Sequence, residues 1–224
     1  MVNAASGGER DKLVEGGTER VGSRAGAVRV LAQVAAEAAA AKAAKAVVVA
    51  GDLVNSWNSA SQISSFKQVW PARFASPVHL VPGNHDVDRS RVSRRFVLDI
   101  PDASAAEEFF SEREDMAVAL RRFKPFLQFH QRVFKSTLDA DAPLPVRRLT
   151  IGSLTIGLIG LNTAWLAHEA DHGGKLVVGR RLLTEALEQL EARSPDLILA
   201  IGHHPPSAWA PFERTLIEPL LSRC

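Results

Sequence analysis

Three short segments of the sequence carry residue types that can bind metal ions or move protons. Asp52 ends the segment AVVVAGD, and Asn84 and His85 lie in the segment PVHLVPGNHD. His203 and His204 lie in a third segment, DLILAIGHHPP. Carboxylate, amide and imidazole groups form a mixed oxygen and nitrogen donor set, which suits manganese, iron or zinc. The sequence therefore indicates a divalent-metal site built without thiolates.

Each of these segments begins with a short apolar run, which predicts a buried β-strand. In open α/β sheets, ligands gather at the carboxyl ends of the strands, so residues distant in sequence can converge there. A glycine precedes Asp52, Asn84 and His203, and it allows the backbone to turn sharply where each strand ends. We therefore expect the three polar groups to face a common point.

The remaining elements alternate between helical and strand patterns. Apolar spacing predicts helices, and two apolar runs joined by Gly152 and Ser153 predict a hairpin with a tight turn. A charged stretch with helical periodicity is predicted to be an insertion. We expect the predicted helices at 27–45, 59–70, 179–193 and the closing segment 211–224, the insertion at about 88–141, a flexible segment at 1–24 and one domain at 25–224.

The composition excludes several classes of protein. The chain of 224 residues contains one cysteine, Cys224, which excludes a disulfide framework and a cysteine-based zinc cluster and fits a reducing, cytoplasmic setting. The net charge of +2 is too small to argue for nucleic acid or an anionic membrane. No apolar run approaches the roughly 20 residues that span a bilayer. The polar first 25 residues lack a signal-peptide pattern. We therefore expect no membrane partner.

The order of the blocks, Gly-Asp, then Gly-Asn-His-Asp, then Gly-His-His-Pro-Pro, resembles the calcineurin-like metallophosphoesterases. In that family five blocks build the site: Asp-x-His, Gly-Asp, Gly-Asn-His-Asp/Glu, a lone His, and Gly-His-x-His. The second, third and fourth blocks match across residues 46–205. Two further stretches, LNTAWLAH and HHPPSAWAPFER, look like bacterial members that are fused to larger signalling proteins. Fusion to, or regulation by, other domains is therefore also expected.

The resemblance implies a role for each matched residue. Asp52 would bridge two metal ions, and Asn84 and His203 would complete the ligands of one of them. His85 would act as general acid toward the leaving-group oxygen or stabilise the charged phosphoryl group. A hydroxide activated by two metals would attack phosphorus in line. His204 could be the ligand in place of His203, although the match favours the first histidine.

The sequence departs from the family pattern at both ends of the motif set. No Asp-x-His precedes Asp52, and no Gly-His-x-His follows His203. The family often places an acid three residues after the Gly-Asp aspartate, where this chain has Asn55. Asp86 is expected to support the loop of its own block. We expect a fragment of a longer protein or a degenerate homologue, with weak metal binding and little hydrolysis.

Two other motifs offer different hypotheses. Residues 168–172 read HEADH, the pattern of a zinc protease, but that site needs a long helix and a third ligand. The following pair, Gly173 and Gly174, favours a loop near the cleft. The basic run RSRVSRR at 89–95 could bind a phosphate-rich substrate or nucleic acid, and the ordinary alternative is a solvated surface.

The resemblance predicts an α/β fold: a two-sheet β-sandwich flanked by helices, with some strands missing and a helical insertion. The leading function is metal-dependent hydrolysis of phosphate esters, with phosphodiesters such as nucleotides or nucleic acid preferred. The alternative is a phosphoesterase-like binding or regulatory module that lacks half of the metal ligands.

Overall fold

The computed structural model describes residues 46–53, 78–88, 100–134, 138–167 and 173–224. Several predicted features lie outside these residues. They are the flexible segment 1–24, the helices at 27–45 and 59–70, Asn55, the basic run 89–95 and the HEADH segment 168–172. No helix in the described part of the chain is long and apolar enough to cross a membrane.

Within the described residues, five strands form two sheets. Strands β1 (Val47–Ala50) and β2 (Val78–Val81) pair in parallel in the first sheet. The second sheet has the order β3 (Val146–Ile151), β4 (Leu154–Leu161) and β5 (Leu197–Gly202). The predicted hairpin is confirmed, because β3 and β4 are antiparallel neighbours. Strand β5 runs parallel to β4.

Five α-helices and two 3₁₀ turns accompany these strands in the described ranges. Helix α1 begins where Asp102 caps it, with its Oδ1 accepting from the Ala105 N–H at 3.0 Å. The helices are α1 (Ala103–Ser111), α2 (Arg113–Arg121), α3 (Lys124–Phe134), α4 (Arg180–Glu191) and α5 (Pro211–Leu221), and the 3₁₀ turns are Asn84–Asp86 and Pro206–Ala208.

Strand β4 lies between a helix and the other sheet. On one face, Gly157 contacts α4 so closely that an added Cβ would lie 2.9 Å from a Leu190 methyl carbon. On the opposite face, a Cβ at Gly160 would lie 2.6 Å from a methyl carbon of Val81 on β2. The two sheets therefore face each other at β4 and β2, as the predicted sandwich requires.

The helices α1 to α3 form a layer packed on the segment that follows β4. Trp165, which has no exposed surface, meets Phe110 edge-on at 5.9 Å and Phe123 edge-on at 6.0 Å between ring centroids. Such aromatic pairs contribute roughly 0.5–1.5 kcal/mol beyond their buried area. The predicted helical character of the insertion is thus confirmed for residues 103–134, and its apolar side is buried against the end of β4.

Candidate functional site

The aspartate at the end of β1 has an unusual backbone conformation. Gly51 has φ of +84° and Asp52 has φ of +53°, and a non-glycine residue in this left-handed region costs about 1–3 kcal/mol. Aspartate tolerates the region better than most side chains. The tight turn directs the Asp52 carboxylate toward the loop after β2, where Oδ1 accepts a hydrogen bond from the His85 N–H at 3.0 Å.

A second carboxylate fixes the loop after β2 from inside. Asp86 is completely buried. Its Oδ2 accepts from the Gly83 N–H at 2.9 Å, and its Oδ1 accepts from the Leu53 N–H at 3.2 Å. Two backbone donors therefore satisfy the buried charge. Asp86 holds the 3₁₀ turn that carries Asn84 and His85 against the end of β1.

His203 lies at the end of β5 and faces Asp52. Its Nδ1 donates to the carbonyl oxygen of Ala50 at 2.7 Å, which leaves Nε2 with a free lone pair when the ring is neutral. This Nε2 lies 3.4 Å from Oδ2 of Asp52. A metal-ligating histidine commonly donates its second ring N–H to a backbone carbonyl in this way.

The Asp52 and His203 side chains fit a shared divalent ion. Two donor atoms that each lie about 2.0–2.2 Å from one ion are about 2.8–3.6 Å apart at bond angles of about 90–110°. The 3.4 Å separation of Oδ2 and Nε2 falls within that range. Among the described residues, no cluster of three or more His, Cys, Asp or Glu is present. Within the described part of the chain, the Asn84 amide remains the candidate for a third donor.

Two glycines bring the ends of β1 and β2 into direct contact. A Cβ at Gly51 would lie 2.6 Å from Nδ1 of His203 and 2.8 Å from the Gly83 nitrogen. A Cβ at Gly83 would lie 2.7 Å from the Asp52 nitrogen. Real Cβ atoms do not approach this closely, so both positions require glycine. The Gly-Asp and Gly-Asn-His-Asp blocks thus pack backbone against backbone.

A sequence model of the calcineurin-like phosphoesterase family matches residues 20–222 of the chain. The chain belongs to the calcineurin-like phosphoesterase family. The family hydrolyses phosphate esters and uses divalent metal ions, which agrees with the fit of Asp52 and His203. The resemblance drawn from the three blocks is confirmed, and so is the α/β fold class. Among curated proteins, none matches the chain.

His204 occupies a different environment from His203 in this phosphoesterase. Its Nδ1 lies 2.8 Å from Oγ1 of Thr163, and its backbone N–H donates to the same hydroxyl at 3.1 Å. The two histidine rings meet edge-on, with centroids 4.6 Å apart. His203 therefore faces Asp52, while His204 is directed toward Thr163.

Sequence reasoning missed Thr163, which is completely buried at the end of β4. It follows an apolar run in the segment LNTAW, as the blocks containing Asp52 and His203 follow theirs. Since β4 and β5 are parallel neighbours, their carboxyl ends lie at the same edge. That position is the signal that could have identified Thr163.

The remaining predicted residues differ in how completely the structure places them. Asn84 is buried and His85 is partly exposed, and both lie in the turn that Asp52 and Asp86 hold. Asn55 lies outside the described residues. The structure therefore brings Asp52, His203 and the 84–86 turn to one edge.

A further buried histidine, His79 on β2, lies away from the metal ligands. Burial, together with the smaller effects of the nearby Arg147 and His130, lowers its pKa to about 3. The ring is therefore neutral at physiological pH. Its Nε2 lies beside Gly160, where an added Cβ would approach to 3.1 Å.

Proposed function

We propose that this chain, or the protein of which it is part, hydrolyses phosphodiesters through two divalent metal ions bound around Asp52. The Asp52–His203 pair carries the proposal. Its two donor atoms are 3.4 Å apart, and the imidazole is oriented by the Ala50 carbonyl. When bound, divalent ions supply Lewis acidity and lower the pKa of the water that attacks phosphorus.

In this proposal three side chains hold one ion and position it at the edge of the sheets. Asp52 offers a carboxylate that two ions can share, His203 offers Nε2, and Asn84 offers its amide oxygen. Among the candidate ligands in the described residues, Asp52 alone would serve the second ion. The backbone bond from His85 to Asp52 fixes the carboxylate relative to the turn, so both blocks move as one unit.

His85 is proposed as the general acid. A group that protonates the leaving oxygen must stand within hydrogen-bond reach of it, on the solvent side of the ligands. His85 is partly exposed, unlike its buried neighbours Asn84 and Asp86. The backbone N–H of His85 donates a hydrogen bond to the Asp52 carboxylate, which fixes the point of the backbone from which the imidazole extends. This placement supports the role.

The preferred substrates are phosphodiesters such as nucleotides or nucleic acid. The basic run 89–95 follows the Gly-Asn-His-Asp block directly in sequence. Guanidinium groups match phosphate oxygens in a bidentate geometry. The arginines of this run are therefore proposed to bind a phosphate group of the substrate.

Turnover of bis(p-nitrophenyl) phosphate with Mn²⁺ tests the proposal. Asp52→Asn and Asn84→Ala are each expected to lower kcat/KM by roughly 100-fold, because the first removes the charge of a ligand that two ions share and the second removes a ligand. Asp115→Asn, an exposed aspartate of α2, is the matched control and should stay within twofold of the parent chain. Turnover that survives both site substitutions would exclude this mechanism.

A second candidate is a binding or regulatory module without turnover. The observation that supports it is that Asp52, Asn84 and His203, the candidate ligands in the described residues, suffice for one ion better than for two. This candidate predicts Mn²⁺-dependent binding of a phosphate ester with no product release. Fusion to other domains and a cytoplasmic setting accompany either function as predictions.

A further inference from the structure

One charged side chain of the helical layer α1 to α3 is buried between the segments that precede and follow the proposed metal ligands. Arg122 follows α2 directly and is only 3% exposed. A guanidinium cannot lose its charge, so its burial is costly unless acceptors surround it. The hydrogen-bond acceptors around Arg122 therefore show which segments of the fold it connects.

The side chain of Arg122 holds the segment 162–167, which follows β4. One terminal nitrogen, Nη1, donates to the carbonyl oxygen of Trp165 at 3.0 Å, and Nη2 donates to the carbonyl oxygen of Ala167. The same segment carries Thr163, whose hydroxyl accepts from the backbone N–H of His204 at 3.1 Å. Arg122 is thus connected to His204, the neighbour of the candidate ligand His203, through the segment 162–167.

The main chain of Arg122 holds the other site segment. Its carbonyl oxygen accepts from the Asp88 N–H at 2.7 Å. Asp88 is buried and lies two residues after the 3₁₀ turn Asn84–Asp86. A single residue is therefore bonded to both the segment after β2 and the segment after β4.

We infer that Arg122 is a positioning residue that sets the distance between these two segments and so between the 84–86 turn and the histidines after β5. The hydrogen bonds of Arg122 carry the structural part of this inference, and its consequence for metal affinity rests on the proposed function. A planar guanidinium reaches two carbonyls at once, whereas an ammonium is a point donor. The helical insertion would then position the segments that carry the site, in addition to burying the core.

Amide hydrogen exchange tests the structural part without metal. Arg122→Met removes both side-chain bonds, and hydrogen bonds to charged groups are strong enough that exchange in 162–167 should rise at least about tenfold. The main-chain bond to the Asp88 N–H remains in this variant, so exchange in 83–88 should also rise, but by less. Exchange in α4 should stay unchanged. Arg122→Lys keeps the charge but reaches one carbonyl, so its effect should be smaller. Arg121→Met, at the exposed last position of α2, is the matched control.

Mn²⁺ affinity, measured by calorimetry on the same variants, tests the functional consequence. Arg122→Met should weaken binding by about 10-fold and Arg122→Lys by less, as expected for residues that orient metal ligands. Arg121→Met should match the parent chain. If the parent chain binds no Mn²⁺, or Asp52→Asn binds it equally well, the proposed function fails, while the exchange result still decides the role of Arg122.

Two results would overturn the inference. One is a folded Arg122→Met variant that keeps parental exchange in either 83–88 or 162–167. The other is faster exchange spread evenly through α4 as well, which would mean a general loss of stability. If Arg122→Met does not fold, the decision passes to Arg122→Lys, where parental exchange in 83–88 and 162–167 would contradict the positioning role.

Discussion

At the scale of single residues, the site depends on backbone positions as much as on the metal-competent side chains. Gly51 combines a left-handed conformation with a close approach to His203 and Gly83. Gly152, in the β3–β4 turn, has a similar φ of +64° but has open space around the position of a Cβ. A side chain at Gly152 would meet conformational strain alone, whereas a side chain at Gly51 would meet both strain and a steric clash.

Gly51→Ala and Gly152→Ala are therefore expected to differ in free energy of unfolding. Gly152→Ala should cost about 1–2 kcal/mol, from left-handed strain alone. Gly51→Ala should cost at least about 3 kcal/mol, since it adds the clash with His203 and Gly83. Urea unfolding of both variants measures the difference. Equal losses would show that the packing of the two blocks is looser than the structure indicates.

The metal-competent residues could be found from sequence, but their supporting residues could not. Asp52, Asn84 and His203 follow apolar runs and belong to recognisable blocks. Thr163 and Arg122 carry no such pattern, because their roles arise from contacts with residues that are distant in sequence. The motif match alone favoured His203 over His204, and the structure adds that the His203 ring faces Asp52 while His204 bonds to Thr163.

At the scale of elements, local patterns predicted the strands and helices well where the structure describes them. The runs Val47–Ala50, Val78–Val81 and Leu197–Gly202 are strands, and the periodic segment at 179–193 is the helix α4. Sheet membership was not predictable, because apolar runs do not specify their neighbours. Strand β5 pairs with β4 and not with β1 or β2, so the site joins the ends of two separate sheets.

Strand β2 also buries a group that should make the fold sensitive to acid. His79 has an ordinary pKa near 6.5 when unfolded and a pKa of about 3 when folded, so the unfolded chain binds the proton first as pH falls. The stabilisation is complete above pH 6.5 and is lost on approaching pH 3. The positive charges of Arg147 on β3 and of His130 on α3 oppose protonation of the His79 ring.

The loss attributable to His79 is about 2 kcal/mol between pH 7 and pH 5. Urea unfolding at both pH values should show a fall in stability that is smaller by this amount in His79→Gln than in the parent chain. Other groups titrate in both proteins, so the difference isolates His79. An identical pH dependence in the two proteins would mean that His79 is hydrated or partnered at low pH.

At the scale of the whole molecule, the family match covers residues 20–222. The proposed ligands Asp52, Asn84 and His203 would serve one ion better than two. The two-sheet arrangement, the parallel strand ends and the helical layer bring Asp52 and His203 together from positions 151 residues apart in sequence. Metal binding should therefore require the folded chain, and its free energy should add to stability by mass action.

The most direct test of this account is the affinity of the folded chain for Mn²⁺, measured by calorimetry. The account predicts weak, saturable binding that Asp52→Asn and His203→Gln each reduce by at least about tenfold, while Asp115→Asn leaves it unchanged. Binding of equal strength in Asp52→Asn and His203→Gln would contradict the assignment of the metal to this pair, and no binding by the parent chain would contradict it as well.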